Sequence, residues 1–162
     1  MTEEGCVKMA EVKTGALIVI ERNVSMGDIV SASGVAVDAV ISSQLLINIF
    51  EDKTPLHDGA VIIRDNRVAA ASCILPVTQS EIGQELGTRH RAAVGASEVS
   101  DAFIIVVSEE TGKISIARDG KLEKAVSEAV FRQELLNLCE KTAPAGAKAI
   151  NKIWRGMSRH DK

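Results

Sequence analysis

Two short, uninterrupted apolar runs, Ala-Leu-Ile-Val-Ile at residues 16–20 and Ala-Phe-Ile-Ile-Val-Val at residues 102–107, constrain the fold of this chain more than any other feature. Neither alternates with polar residues, so neither suits a strand with one wet face. Both fall far short of the roughly 20 residues that cross a bilayer. Runs of this kind read as buried strands, which require a sheet with helices packed over it. The composition agrees: with one Trp, three Phe and no Tyr, the core has to be built from Ala, Val, Ile and Leu. At 162 residues and 46% hydrophobic content, one core is enough. The expected architecture is a single globular α/β domain, a central mixed β-sheet flanked by helices.

Punctuation along the chain places the other elements. Residues 3–13 read as a short helix ahead of the strand at 16–21. Ser42 and Ser43 can cap a helix over 44–50, which Lys53-Thr54-Pro55 then stops. Asp65-Asn66 joins strands at 61–64 and 67–75 as a two-residue hairpin loop. Thr88 is the expected N-cap of the following helix. The stretch 108–112 turns the strand at 102–107 back into an alternating one at 113–117. Leu122, Val126, Val130, Leu135 and Leu138 then predict one amphipathic helix over 122–140. The resulting organisation is an N-terminal helix (1–13), a body (14–140) and a basic extension (141–162).

The net charge of −3 conceals that extension, where Lys141, Lys148, Lys152, Arg155, Arg159 and Lys162 face only Asp161. Its simplest reading is a solvated tail, with contact to anionic lipid or a partner as the alternative. Cys6, Cys73 and Cys139 lie far apart with no Cys-x-x-Cys spacing, which predicts reduced thiols in a cytoplasmic protein. No signal peptide is legible. An acidic body almost without stacking aromatics argues against nucleic acid as a partner.

Three polar islands stand at expected strand ends or at a helix start: His57-Asp58-Gly59-Ala60, Gly87-Thr88-Arg89-His90-Arg91 and Ser108-Glu109-Glu110-Thr111-Gly112. Asp58-Gly59, taken alone, is as well a turn as a ligand site. Gly59 lets backbone approach a bulky group closely. The second island sets two guanidiniums and an imidazole where helix N-terminal amides also point, a suitable place for a triphosphate. A solvated basic patch is the plainer account of the same residues. Glu109-Glu110 offers oxygens that a nucleotide-borne divalent metal needs, though paired acids are often simply wet.

Together, Asp58-Gly59-Ala60 and Gly87-Thr88-Arg89-His90-Arg91 resemble the two signature motifs of diadenylate cyclases. The resemblance covers roughly residues 14–140, including Thr54-Pro55-Leu56-His57 and the 108–112 stretch, and is nearest to the membrane-type enzymes rather than the DNA-scanning type. It implies condensation of two ATP into cyclic di-AMP with release of pyrophosphate, assisted by Mg²⁺ or Mn²⁺. Asp58, Arg89, His90 and Arg91 would be catalytic. Gly59, Ala60, Leu75, Gly87, Thr88, Ser108 and Glu109 would join them around ATP, with Leu75 against adenine. His57, Asp58 and Glu110 would be the metal ligands. Because each AMP is both nucleophile and electrophile, two equivalent sites must face each other, so at least a homodimer is expected. Membrane-type relatives carry transmembrane helices ahead of this domain. Here Met1 lies a dozen residues before the first strand, and the expectation is a truncated chain from a membrane-anchored parent, with a soluble variant as the alternative.

Two other classes fit parts of the pattern. His57-Asp58 could be the metal pair of an all-helical HD-type phosphohydrolase, but only His90 and His160 remain as further histidines and strands surround the motif. A nucleotide-binding regulatory module without turnover needs the basic site, yet has no use for Asp58 and Glu109-Glu110 together.

Overall fold

The run at 16–20 forms the centre of the sheet, as its composition demands. The computed structural model describes residues 2–142. In chain order the elements are α1 (Thr2–Glu11), β1 (Ala16–Ile20), α2 (Gly27–Ser33), β2 (Val35–Val40), α3 (Ser43–Phe50), β3 (Ala60–Arg64), β4 (Arg67–Cys73), α4 (Thr88–Glu98), β5 (Phe103–Val107), β6 (Ile114–Arg118), β7 (Lys121–Glu123) and α5 (Glu128–Thr142). Among the described residues, those up to Glu128 make one compact unit, which carries the whole sheet, and α5 from Ala129 onward belongs to a second. The seven strands run in the order β2-β4-β3-β1-β5-β6-β7. Only β1 and β3 are parallel neighbours; all other pairs are antiparallel, so the sheet is mixed as expected.

Side chains alternate across the strands, and the sheet is buried on both faces where β1, β3 and β5 lie. Leu17, Val19, Ile62, Ile104 and Val106 form one apolar layer with Ala93, Val94 and Ala96 of α4. Ile18, Val61 and Ile105 point the other way and are equally buried. α1 packs on β5 and α3, burying Cys6 and Met9 completely. Both buried thiols, Cys6 and Cys73, are pushed up by desolvation, to about 12 and about 11, so neither is a nucleophile at neutral pH.

Several local expectations hold. Ser42 accepts a hydrogen bond from the Leu45 amide and caps α3. Asp65 and Asn66 take φ of 49° and 59°, the left-handed pair of a tight hairpin. Others need correction. The N-cap of α4 is Gly87, and Thr88 is its first helical residue, with no side-chain cap bond. The expected helix over 122–140 is really strand β7 followed by α5. Asp119 and Gly120, at φ of 51° and 71°, make a second tight hairpin that sends 121–123 back along β6. Val126 then donates its amide to the Ile114 carbonyl at 2.9 Å, prolonging that edge before the helix starts. α2 and β2 fill a stretch in which the sequence reading places no element. The basic extension expected after residue 140 lies outside the described residues beyond Thr142.

Besides its buried apolar face, α4 is held by close backbone contact. A Cβ on Gly95 would run into the Pro76 carbonyl oxygen and stand 2.6 Å from the Thr78 nitrogen, while the Thr78 amide donates to the Arg91 carbonyl at 3.1 Å. Gly95→Ala is therefore expected to destabilise the fold by about 1–3 kcal/mol as an overpacked site. That outweighs the ~1 kcal/mol that alanine gains in helix propensity. Urea unfolding measures the difference.

Candidate active site

Strand register decides which of the polar islands meet. Ala60 pairs with Cys73, Ile18 with Val61, Ala16 with Val107, and Val107 with Ile114. The entrance to β3, the entrance to β1 and the exit of β5 thus lie side by side at one end of the sheet. Neighbouring strands are spaced about 4.8 Å apart, so Asp58 before β3 and Ser108 after β5 start from backbones roughly 10 Å apart. The N-terminus of α4 supplies the third island, because the Arg89 Nη1 donates to Glu109 Oε2 at 2.8 Å. The three islands, separated by up to fifty residues of chain, share one end of the molecule.

Asp58 is exposed, and its Oδ1 accepts from the Gly59 amide at 3.0 Å. Gly59 is needed there twice over. Its φ is +89°, and a Cβ would stand 2.8 Å from the Ser72 carbonyl carbon and from the Cys73 carbonyl oxygen. The backbone that approaches Gly59 closely is thus that of β4. Ala60 and Leu75, expected around the nucleotide, lie in the apolar layer with the α4 alanines, Leu75 being 5% exposed. His57 Nδ1 faces the Thr54 carbonyl at 2.7 Å. A carbonyl only accepts, so Nδ1 carries the proton and the neutral ring keeps its lone pair on Nε2. That nitrogen stands 3.9 Å from Asp52 Oδ1.

The 108–112 turn is rigidly built. Ser108 donates its amide to the Lys113 carbonyl at 3.0 Å, Gly112 donates to the Ser108 carbonyl at 2.9 Å, and the Ser108 hydroxyl accepts from the Thr111 amide at 3.2 Å. Gly112 has φ +70°, and a Cβ there would strike the Ala10 carbonyl. Beside the turn opens a cavity of about 310 Å³, lined from the expected set by Gly87, Thr88, Arg89, His90, Ser108, Glu109 and Glu110. His57, Asp58 and Arg91 do not line it. Arg91 follows Arg89 by two residues, roughly 200° around a helix, so the basic cluster is divided between two sides of α4.

Lys124, Lys113 and Glu85 also line this cavity, and sequence reasoning overlooked all three. Lys124 Nζ bonds Glu85 Oε1 at 3.1 Å. Being 34 residues past His90, it carries no local signal. Its effect falls on His90, which is 8% exposed. Burial, and then the positive charges of Lys124 and Arg89, hold this imidazole below its ordinary 6.5, against an opposing pull from Glu110. At neutral pH His90 is uncharged and offers a hydrogen bond, while the cationic charge at the cavity comes from Arg89, Lys113 and Lys124. Lys124→Ala is expected to raise the His90 pKa, read from its imidazole resonances by NMR. The unfolded state binds more protons in the interval below 6.5, so stability is full above 6.5 and is lost as pH falls through the folded value.

Among the described residues no three His, Cys, Asp or Glu side chains cluster as a metal cage. His57, Asp58 and Glu110 therefore do not form a preassembled triad. Mg²⁺-type ions are commonly held by one or two carboxylates plus substrate phosphates, and the exposed carboxylate of Asp58 fits that arrangement.

Comparison with known proteins identifies the family. Residues 3–122 match the family described as DAC, DisA bacterial checkpoint controller nucleotide-binding. The chain is 48% identical over 149 residues to the cyclic di-AMP synthase CdaA of Bacillus subtilis (strain 168), covering 91% of this chain and 54% of that one. It is 48% identical over 155 residues to a diadenylate cyclase of Listeria monocytogenes serotype 1/2a (strain 10403S), covering 95% of this chain and 56% of that one. The chain thus spans about half the length of the curated relatives it matches. Among solved structures, a double mutant of DacA from Staphylococcus aureus superposes with a TM-score of 0.81 at 46% identity, covering 86% of this chain and 91% of that one. A hypothetical membrane spanning protein from Bacillus cereus gives 0.69 at 45% identity, over 76% and 60%. With the match running from α1 to β7 through both signature motifs, and with close to half of all residues shared, this chain belongs to the DAC family.

Proposed function

We propose that this chain is the catalytic domain of a diadenylate cyclase, which joins two ATP molecules into cyclic di-AMP and releases two pyrophosphates. The observation that carries the reading is the convergence of Asp58, the Arg89–Glu109 pair and the α4 N-terminus at one end of the sheet. The names of the half-identical relatives, cyclic di-AMP synthase and diadenylate cyclase, support it.

The chemistry asks little of the protein beyond placement and charge. In each half-reaction a ribose 3′-oxygen bonds to the α-phosphorus of the facing nucleotide, the bond to the β-phosphate bridging oxygen breaks in line, and pyrophosphate departs. Asp58 accepts the 3′-hydroxyl proton, directly or through water. Arg89, the α4 amides and the neutral His90 bind phosphate oxygens, with Thr88 and Ser108 adding hydroxyls. Arg91, on the other side of α4 and outside the cavity, is given no phosphate contact in this arrangement. A Mg²⁺ or Mn²⁺ ion, held by Asp58 with His57 and Glu110 as further candidate ligands, would supply Lewis acidity toward the α-phosphate and the attacking hydroxyl.

Product symmetry extends the proposal to a homodimer with facing sites, since neither nucleotide can attack itself. Membrane attachment through a segment preceding this domain belongs to the same proposal. It is supported by the Bacillus cereus relative, described as membrane spanning, and by the half-length match to the curated relatives. No helix among the described residues is long and apolar enough to cross a membrane.

Incubation with ATP and Mn²⁺, followed by chromatography of the nucleotides, tests the activity. Cyclic di-AMP with two pyrophosphates per ring is the expected result. Tight ATP binding with no product would make the domain a regulatory module instead.

A further inference from the structure

Arg89 does not reach its place alone. Its side chain is 20% exposed, bonded through Nη1 to Glu109, and its guanidinium lies directly over Gly15. A Cβ on Gly15 would stand 2.6 Å from Arg89 Nη1, 2.9 Å from its Cζ and 3.0 Å from Glu109 Oε2. Gly15 has no positive φ, so its lack of a side chain answers to space and not to backbone strain.

The backbone at Gly15 is tied on both sides. Upstream, the Thr14 amide donates to the Met9 carbonyl at 2.8 Å and the Lys13 amide to the Ala10 carbonyl at 3.2 Å, with Lys13 at φ 56°. These two bonds close α1 in a Schellman motif and fix the exit direction of the chain. Downstream, Ala16 is already paired with Val107 of β5. Glu109 sits on the hydrogen-bonded 108–112 turn, which Gly112 packs against α1. The guanidinium and the exposed Glu109 carboxylate, both at the far ends of flexible side chains, are the parties free to yield, and movement of either disturbs the seat.

We propose that Gly15 is a positioning residue, a bare patch of backbone that seats the Arg89 guanidinium against Glu109 and so aims it at the nucleotide phosphates. The proposal rests on the reading of Arg89 as a phosphate ligand. It requires that a methyl group at position 15 disturb ligand binding while leaving the fold alone.

Calorimetric titration with 3′-deoxy-ATP, which lacks the attacking hydroxyl, separates these effects. Gly15→Ala is expected to weaken binding about tenfold, the scale of one lost charge-assisted hydrogen bond, with Tm within about 2 °C of the parent. Gly15→Ser, bulkier at the same point, should bind at least as weakly. Arg89→Ala should weaken binding by a similar factor or more, and adding Gly15→Ala to it should change nothing further, because the seat has lost its occupant. Parent-like affinity in Gly15→Ala beside a weakened Arg89→Ala overturns the seat alone. Full additivity of the two substitutions does the same, as does a fall in Tm beyond about 5 °C, which would mean that backbone yielded instead. Parent-like affinity in Arg89→Ala removes the phosphate role itself, and with it the reading on which the seat depends.

Discussion

Asp58→Asn is expected to lower cyclic di-AMP formation by on the order of 10²–10³, while 3′-deoxy-ATP binding and Tm stay close to those of the parent. The substitution is nearly isosteric, and an asparagine Oδ1 can still accept the Gly59 amide bond that Asp58 accepts at 3.0 Å. The turn into β3, fixed by the positive φ of Gly59 and its contact with β4, has no reason to change. What is lost is the charge, and with it the proton acceptor and the strongest candidate metal ligand. Such a factor corresponds to about 3–4 kcal/mol of transition-state stabilisation. Because Asp58 lies outside the cavity that Arg89 and His90 line, substrate affinity should be largely spared. Initial rates from quenched reactions, followed by chromatography, read the effect; a folded variant turning over at the parental rate removes Asp58 from the chemistry.

Much of this architecture is legible in the sequence because its central strands are buried on both sides. Residues 16–20 and 103–107 have no polar member, and a five-residue run of this composition without one has few other uses. The elements that escape reading are those with little to bury. α2 has seven residues, none of them buried, and its N-cap residue Met26 makes no side-chain cap bond. β2 is an edge strand with no fully buried residue, interrupted where Asp38 takes φ 47° and the register shifts. Periodicity alone gives no signal for either. The misread helix start has a different cause. Leu122, Val126 and Val130 are spaced as on a helix, yet Asp119-Gly120 is a hairpin signal of the same kind as Asp65-Asn66. The tight turn outranks the spacing, since β6 has an open edge to fill.

The site divides in the same way. Each island is readable locally, since a glycine beside an acid, or arginines at a helix start, are local patterns. Their meeting depends on the register of β1 against β3 and β5, which no local pattern reports. The separation of Arg89 from Arg91 follows from helical geometry, whereas Lys124 and Gly15 enter only through tertiary contact. In the sequence Gly15 does no more than precede a strand, and its distance from the Arg89 guanidinium is what gives it a role.

Mixing the parent chain with an excess of Asp58→Asn should abolish most cyclic product per parent chain. The expectation follows from the product. Two phosphodiester bonds form between two nucleotides, each needing its own 3′-hydroxyl activated, so a mixed dimer with one intact Asp58 can form one bond and not the second. With random exchange and a tenfold excess of variant, most parent chains sit in mixed dimers, and ring closure should fall by roughly the same tenfold factor. Linear di-adenylate with one triphosphate end should accumulate in its place. Subunit exchange has to be demonstrated under the same conditions, for example by energy transfer between labelled chains. A constant yield of cyclic product per parent chain under demonstrated exchange would mean that each protomer completes both bonds alone, and the facing-site arrangement would be wrong. A second reading comes from dilution: specific activity should decline as the protein concentration drops below the dimer dissociation constant, whereas a self-sufficient protomer would show no such decline.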